Sequence, residues 1–221
     1  MKLDPSPDVP AVPDFTVPER EGGYARGKAG HERILRAALD ILIEEGYRAL
    51  TMRRIAARCG LRPGNLSYYF PTKDALVRDL LEAIISSYEA EFGLIVADVS
   101  LSPEARLEKI CVLIMEDIGT KKTTRIFPEL WALSNHDGFV NERLQELYDR
   151  ARVSLELLIA MINPALPLQA RKDLSLFISA SMEGLTVFAG YEKPFRGRMP
   201  ALERIATRSF LHMVKTLGPK G

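Results

Sequence analysis

Cysteine is nearly missing from this chain: 221 residues contain two, Cys59 and Cys111. Each stands inside an apolar helical pattern, which excludes a disulfide scaffold and fits a reducing, cytoplasmic setting. Histidine is as scarce. His31, His136 and His212 are scattered and there is no CxxC, so no metal site is expected. No uncharged apolar run approaches the ~18 residues that a membrane span needs, and no membrane partner is expected. The first 30 residues carry acids and prolines where a secretory leader would be apolar. GxSxG, HExxH, a Walker loop and GxGxxG are all absent, so the chain offers no familiar enzyme chemistry and no cofactor is expected. Charge is nearly balanced, 30 basic against 29 acidic residues, which rules out a polycation that coats nucleic acid.

One further absence is local. Positions 46–73 contain no Asp or Glu, yet they hold Arg48, Arg53, Arg54, Arg58, Arg62 and Lys73. A window of one sign reads as a site for a polyanion. A solvated helix face, countered by acids from elsewhere in the fold, has the same composition.

Against these absences the chain is rich in helical periodicity. Residues 1–27, with five prolines and no apolar period, read as a flexible tail. Ile34, Ala37, Ala38, Ile41 and Leu42 then follow the 3.6-residue repeat, and Gly46 is the expected stop. Thr51 suits the N-cap of a short helix carrying Ile55 and Ala56. Gly60 breaks it, and Pro63 fits the first position of a third helix ending near Phe70. Thr72 caps a long fourth helix that has Asp74 in its first turn. Further helices are expected over about 103–119, 126–135, 139–162, 168–190 and 200–217. No alternating strand pattern occurs. The expected fold is all-α, about nine helices: a three-helix head over 28–88 and a larger helical body over 89–221.

The segment from Thr51 to Phe70 has the length and the glycine-containing turn of a helix-turn-helix. Ile55, Ala56, Leu61 and Leu66 can lock its two helices. Arg62 and Asn65 lie three apart at the N-terminal end of the second helix, where base edges are reached. Arginine suits the O6/N7 pair of guanine, and asparagine the N6/N7 pair of adenine. Gly64 allows close backbone approach. Tyr68, Tyr69, Lys73 and Thr51 are placed for phosphates, and Arg53 for a phosphate or a base.

These residues carry a resemblance. The run from Ile34 to Tyr47, TMRRIAARCGL at 51–61 and YYFPTKDAL at 68–76 resemble, in order and spacing, the DNA-binding domain of TetR-type transcriptional regulators. The likeness spans about 55 residues. It implies a cytoplasmic homodimer on a double-stranded, near-palindromic operator, most often a repressor released by a small-molecule effector. The DNA-contacting set it implies is Thr51, Arg53, Arg62, Pro63, Gly64, Asn65, Ser67, Tyr68, Tyr69 and Lys73. Two departures bear on the bases read. Arg62 stands where the family usually has Ser or Thr, and Ser67 where it often has Tyr. Arg20, Arg26 and Lys28 are placed for an adjacent minor groove or for plain solvation.

In the body, Leu174, Phe177, Ile178, Ser181, Leu185 and Phe188 form one apolar stripe. Leu202, Ile205, Ala206, Ser209, Phe210 and Met213 form another. By the resemblance this pair packs against its copy as a four-helix bundle; by periodicity an intramolecular core serves equally. Met115, Phe127, Trp131, Asn135, Met161 and Glu183 are the candidate effector pocket, large apolar groups with a few polar anchors, though an ordinary core has the same make-up. FPELWALSNHD at 127–137 and MEGL at 182–185 faintly resemble the effector domains of choline/betaine-type TetR regulators, and the effector itself stays unnamed. The competing readings are a helical enzyme or carrier with a vestigial head, and a DNA-binding activator.

Overall fold

The computed structural model describes residues 25–218. In chain order they form α1 (Ala25–Glu45), a 3-10 turn (Tyr47–Ala49), α2 (Met52–Arg58), α3 (Pro63–Tyr69), α4 (Lys73–Ala97), α5 (Pro103–Ile118) and α6 (Lys121–Ser134). Then come α7 (Gly138–Ile162), α8 (Leu168–Glu183), α9 (Leu185–Ala189), a second 3-10 turn (Arg196–Arg198) and α10 (Met199–Thr216). No strand occurs among the described residues. The all-α reading holds. The tail assigned to 1–27 lies outside the described residues except where α1 begins. Arg20 lies outside them too, as does the side chain of Arg26, whereas Lys28 is exposed on α1.

Several helix boundaries follow the sequence signals. The Thr51 hydroxyl accepts the Arg54 N–H at 3.3 Å and the Thr72 hydroxyl accepts that of Ala75 at 3.1 Å, satisfying one orphan donor at each helix start. Pro63 opens α3, where its missing N–H costs nothing. Gly46 ends α1 with φ of 83°, a conformation that other residues rarely adopt.

Two boundaries differ from expectation. Helix α6 starts at Lys121, five residues before the expected Ile126, because the Thr120 hydroxyl accepts the Thr123 N–H at 3.3 Å and caps it. Pro128 consequently sits inside the helix instead of near its start, and the Thr124 carbonyl loses its helical donor. The helix expected over 168–190 is broken at Gly184 into α8 and α9. There the ladder tightens, with Val187 N–H reaching the Gly184 carbonyl three residues back at 3.3 Å.

The described residues divide into two compact units. A head unit holds 25–87 and 125–147; a body unit holds 88–124 and 148–218. Helices α4, α6 and α7 each contribute to both. The head unit is thus wider than the 28–88 segment read from the sequence. Residues 125–147 join it through named contacts: the Glu129 carboxylate accepts the Tyr47 N–H, and the Arg78 guanidinium lies 5.5 Å from the Phe139 ring centre. Its core includes Ile34, Leu35, Leu42, Ile55, Leu66 and Phe70, all essentially sealed from solvent. His31 fastens α1 to α4, its Nε2 lying 2.8 Å from Asp79 and its ring 4.8 Å from that of Phe70. In the body unit, α10 packs on α5 and α8, with Ile110, Ile178 and Val214 fully buried.

Candidate functional site

Helices α2 and α3 are held as a pair from within. Ile55, Ala56 and Leu66 are buried, and the Leu61 N–H closes the turn on the Ala56 carbonyl at 2.8 Å. Burying Leu66 and Ile55 contributes about 1.5–3 kcal/mol each, enough to fix the angle between two seven-residue helices that would not persist alone. The outward residues are then determined by helix period. Thr51, Arg53, Arg62, Pro63, Gly64, Asn65, Ser67 and Tyr68 are exposed, and Tyr69 and Lys73 are half-buried. Space around Gly64 is open, so backbone approach there meets no side chain.

The basic window is partly countered from elsewhere in the fold. The Glu45 carboxylate, at the end of α1, pairs with both Arg54 and Arg58, the latter at 2.9 Å. These two arginines brace α2 against α1. Arg48, Arg53 and Arg62 make no ion pair with any described residue, and the Arg62 side chain does not cap α3. The uncompensated charge is therefore concentrated at the entry of α3 and on the flank of α2. Asn65 is exposed one turn on from Arg62.

Besides Thr51, which caps α2, three of the assigned side chains have intramolecular duties. The Ser67 hydroxyl donates to the Pro63 carbonyl at 3.2 Å. The Tyr69 ring lies against Gly30 of α1 so closely that a Cβ there would come 2.7 Å from its Cζ, whereas Tyr68, 86% exposed, extends outward edge-on to it. The Lys73 ammonium sits 3.9 Å from the centre of the Tyr47 ring, a cation–π contact. Burial pulls the Lys73 pKa below its ordinary value, while Asp74 and Asp137 act to raise it. Burial raises that of the Tyr47 phenol, with Asp137 and Asp74 adding to the shift.

The six candidate effector residues fall into both units. In the head unit, Phe127 is buried, with its ring 6.4 Å from that of half-buried Trp131, and exposed Asn135 donates to the Trp131 carbonyl at 3.1 Å. In the body unit, Met115 is fully buried and Met161 is exposed on α7. Glu183 stands apart. Its Oε2 is sealed from solvent and has no hydrogen-bond partner, as is true of the Thr186 hydroxyl. Burial, with the Asp117 carboxylate adding, pushes the Glu183 pKa up to about 7, against a hydrogen bond from Tyr148 that lowers it.

Around Glu183 is a polar cluster that the sequence reading missed. Asp117 is buried and accepts from the Tyr88 hydroxyl at 2.5 Å and from the Thr123 hydroxyl at 2.5 Å, with the Lys122 ammonium 3.3 Å away. Burial and the two carboxylates hold the Tyr88 phenol well above its ordinary pKa, so it stays a donor. The legible signal was Asp117 itself, an acid falling on the apolar stripe of Ile110 and Leu113.

The stripes assigned to dimerisation divide by depth. Leu174, Ile178 and Phe210 are buried within the body unit, whereas Phe177, Phe188 and Ile205 are exposed. Two short helices locked together from within, the second opening on the unpaired Arg62, have the architecture of a helix-turn-helix.

Similarity to known proteins narrows the class. A family profile for bacterial regulatory proteins, tetR family, matches residues 34–80, and one for the C-terminal region of BetI-type transcriptional repressors matches 103–212. An HTH-type transcriptional regulator from the dhlA 5′ region of Xanthobacter autotrophicus is 31% identical over 147 residues, 63% of this chain and 70% of that one. BetI of Stenotrophomonas maltophilia is 26% identical over 155 residues, 70% of this chain and 78% of that one. A TetR-family regulator structure from Mesorhizobium loti shares the fold, with a TM-score of 0.69 at 15% identity over 86% of this chain and 98% of the other. The chain belongs to the TetR family.

Proposed function

We propose that this regulator is a homodimeric repressor that binds a near-palindromic operator through α3 and is released by a small-molecule effector. The observation that carries the DNA reading is the exposed, unpaired Arg62 with Asn65 at the entry of α3. Arg62 and Asn65 read base edges; Thr51, Arg53, Tyr68, Tyr69 and Lys73 take phosphates; Pro63, Gly64 and Ser67 form the surface against the groove. A mobility-shift assay with the DNA upstream of the protein's own gene tests this. A retarded band that survives excess random DNA is expected, and equal competition by random DNA would refute operator recognition.

The exposed large apolar residues Phe177, Phe188 and Ile205, on α8, α9 and α10, support self-association through these helices. Sedimentation at micromolar concentration is expected to give about twice the chain mass of 24.7 kDa. Ile205→Glu should shift it to the monomer and cut operator affinity. A wild-type monomer that still held its operator tightly would refute the dimer.

The effector region we favour includes Glu183, Asp117, Tyr88 and Tyr148 in the body unit. A sealed carboxylate oxygen without a donor, beside a second carboxylate, suits a ligand that carries hydrogen-bond donors or positive charge.

A further inference from the structure

The corner between α1 and α2 is held from a distant part of the chain. The carboxylate of Glu129, on α6, accepts the Tyr47 N–H, a bond between residues 82 apart in sequence. The same carboxylate covers Gly46, where a Cβ would lie 3.1 Å from its Cδ, on a backbone at φ of 83°. On the other side of this corner Glu45 ties down Arg54 and Arg58. The backbone that carries the Tyr47 ring is thus tied to α6, and α2 is tied to the end of α1. That ring carries the Lys73 ammonium, 3.9 Å from its centre. Asp74 and Asp137 are the carboxylates that also face this lysine.

The geometry points to Glu129 as a positioning residue for DNA contact: through the Tyr47 backbone and ring it holds the Lys73 ammonium at the edge of the helix-turn-helix, ready for a phosphate. Glu129 touches no part of the groove surface itself. Its role is to fix where the Tyr47 ring stands, so that the ammonium on that ring reaches a phosphate; with the ring displaced, that contact is lost. Helix α6 also carries Thr123, whose hydroxyl donates to Asp117 in the region favoured for the effector, so a shift of α6 on effector binding would open the Tyr47 contact and free Lys73. That link to an effector rests on the repressor reading above; the path from Glu129 through Tyr47 to Lys73 does not.

The test uses the full chain and a labelled random-sequence duplex, with affinity followed by fluorescence anisotropy over a salt series. Each phosphate contact adds about one unit to the slope of log affinity against log salt. Lys73→Ala should flatten the slope by about one unit for each head bound. Glu129→Ala should do the same, and the double variant should lose no more than Lys73→Ala alone. Glu129→Gln keeps an acceptor for the Tyr47 N–H and should restore the wild-type slope. Tyr47→Leu leaves the backbone bond intact but removes the ring, and should match Lys73→Ala even if Glu129→Ala proves too unstable to assay. A residue that merely stabilised the head would lower its melting temperature and leave the slope unchanged. A wild-type slope in Glu129→Ala or Tyr47→Leu, or additive losses in the double variant, would overturn the proposal.

Discussion

Arg62→Ala is expected to weaken operator binding by about 1 to 3 kcal/mol and to relax base preference at one position, the signature of a lost bidentate contact to guanine. The expectation rests on what Arg62 does not do in the free protein. Its side chain neither caps α3 nor pairs with an acid, so truncation removes nothing that holds the fold. Pro63 still sets the first turn, and Leu66 still anchors the helix. Circular dichroism and melting temperature should therefore match wild type. Arg62→Lys should recover little, because a point charge cannot reproduce the two-pronged fork. Asn65→Ala should relax a second position, one turn further along α3. The decisive comparison is between operator and random DNA. If Arg62→Ala loses the same factor on both, the guanidinium is a phosphate contact and the base assignment fails.

The head was legible because its signals are local. Thr51, Thr72 and Pro63 act at helix starts through bonds spanning three residues, and Gly46 acts through its own φ. Period alone marked Ile55 and Leu66 as inward and Arg62 as outward. The countering of Arg54 and Arg58 by Glu45 was not legible. It depends on the packing angle of α1 on α2, which no window of sequence encodes. The same holds for Glu129, whose partner is 82 residues away. The start expected at 126 fell five residues late, because the Thr120 hydroxyl already caps α6 at Lys121 and the helix runs on through Pro128. The first of the two body stripes was laid along one helix, which Gly184 instead divides between α8 and α9. Only packing separates Ile178 and Phe210, inside, from Phe177 and Ile205, outside.

Glu183→Gln is expected to make the protein more stable at pH 8 and to leave it nearly unchanged at pH 5. The sign follows from linkage. In the unfolded chain Glu183 titrates near 4.5; in the folded body unit, burial and Asp117 raise this to about 7. Between these values the folded state holds a proton that the unfolded state has released. Stability from this group is thus full below pH 4.5 and is lost progressively as pH rises through 7. At pH 8 the native protein carries a buried carboxylate whose Oε2 has no donor. Over this interval the loss amounts to about 3 kcal/mol, an order-of-magnitude figure. Glutamine has the same shape and can still accept from Tyr148, but it never ionises, so the variant escapes the penalty. Chemical denaturation at pH 5 and pH 8 measures it, the advantage of Glu183→Gln growing by a few kcal/mol between the two. Asp117→Asn should lessen that growth, since its carboxylate is part of what raises Glu183. A variant advantage independent of pH would mean that Glu183 is ionised and compensated in the native state. It would then offer no unmet charge to an effector, and the ligand region proposed around it would have to be abandoned.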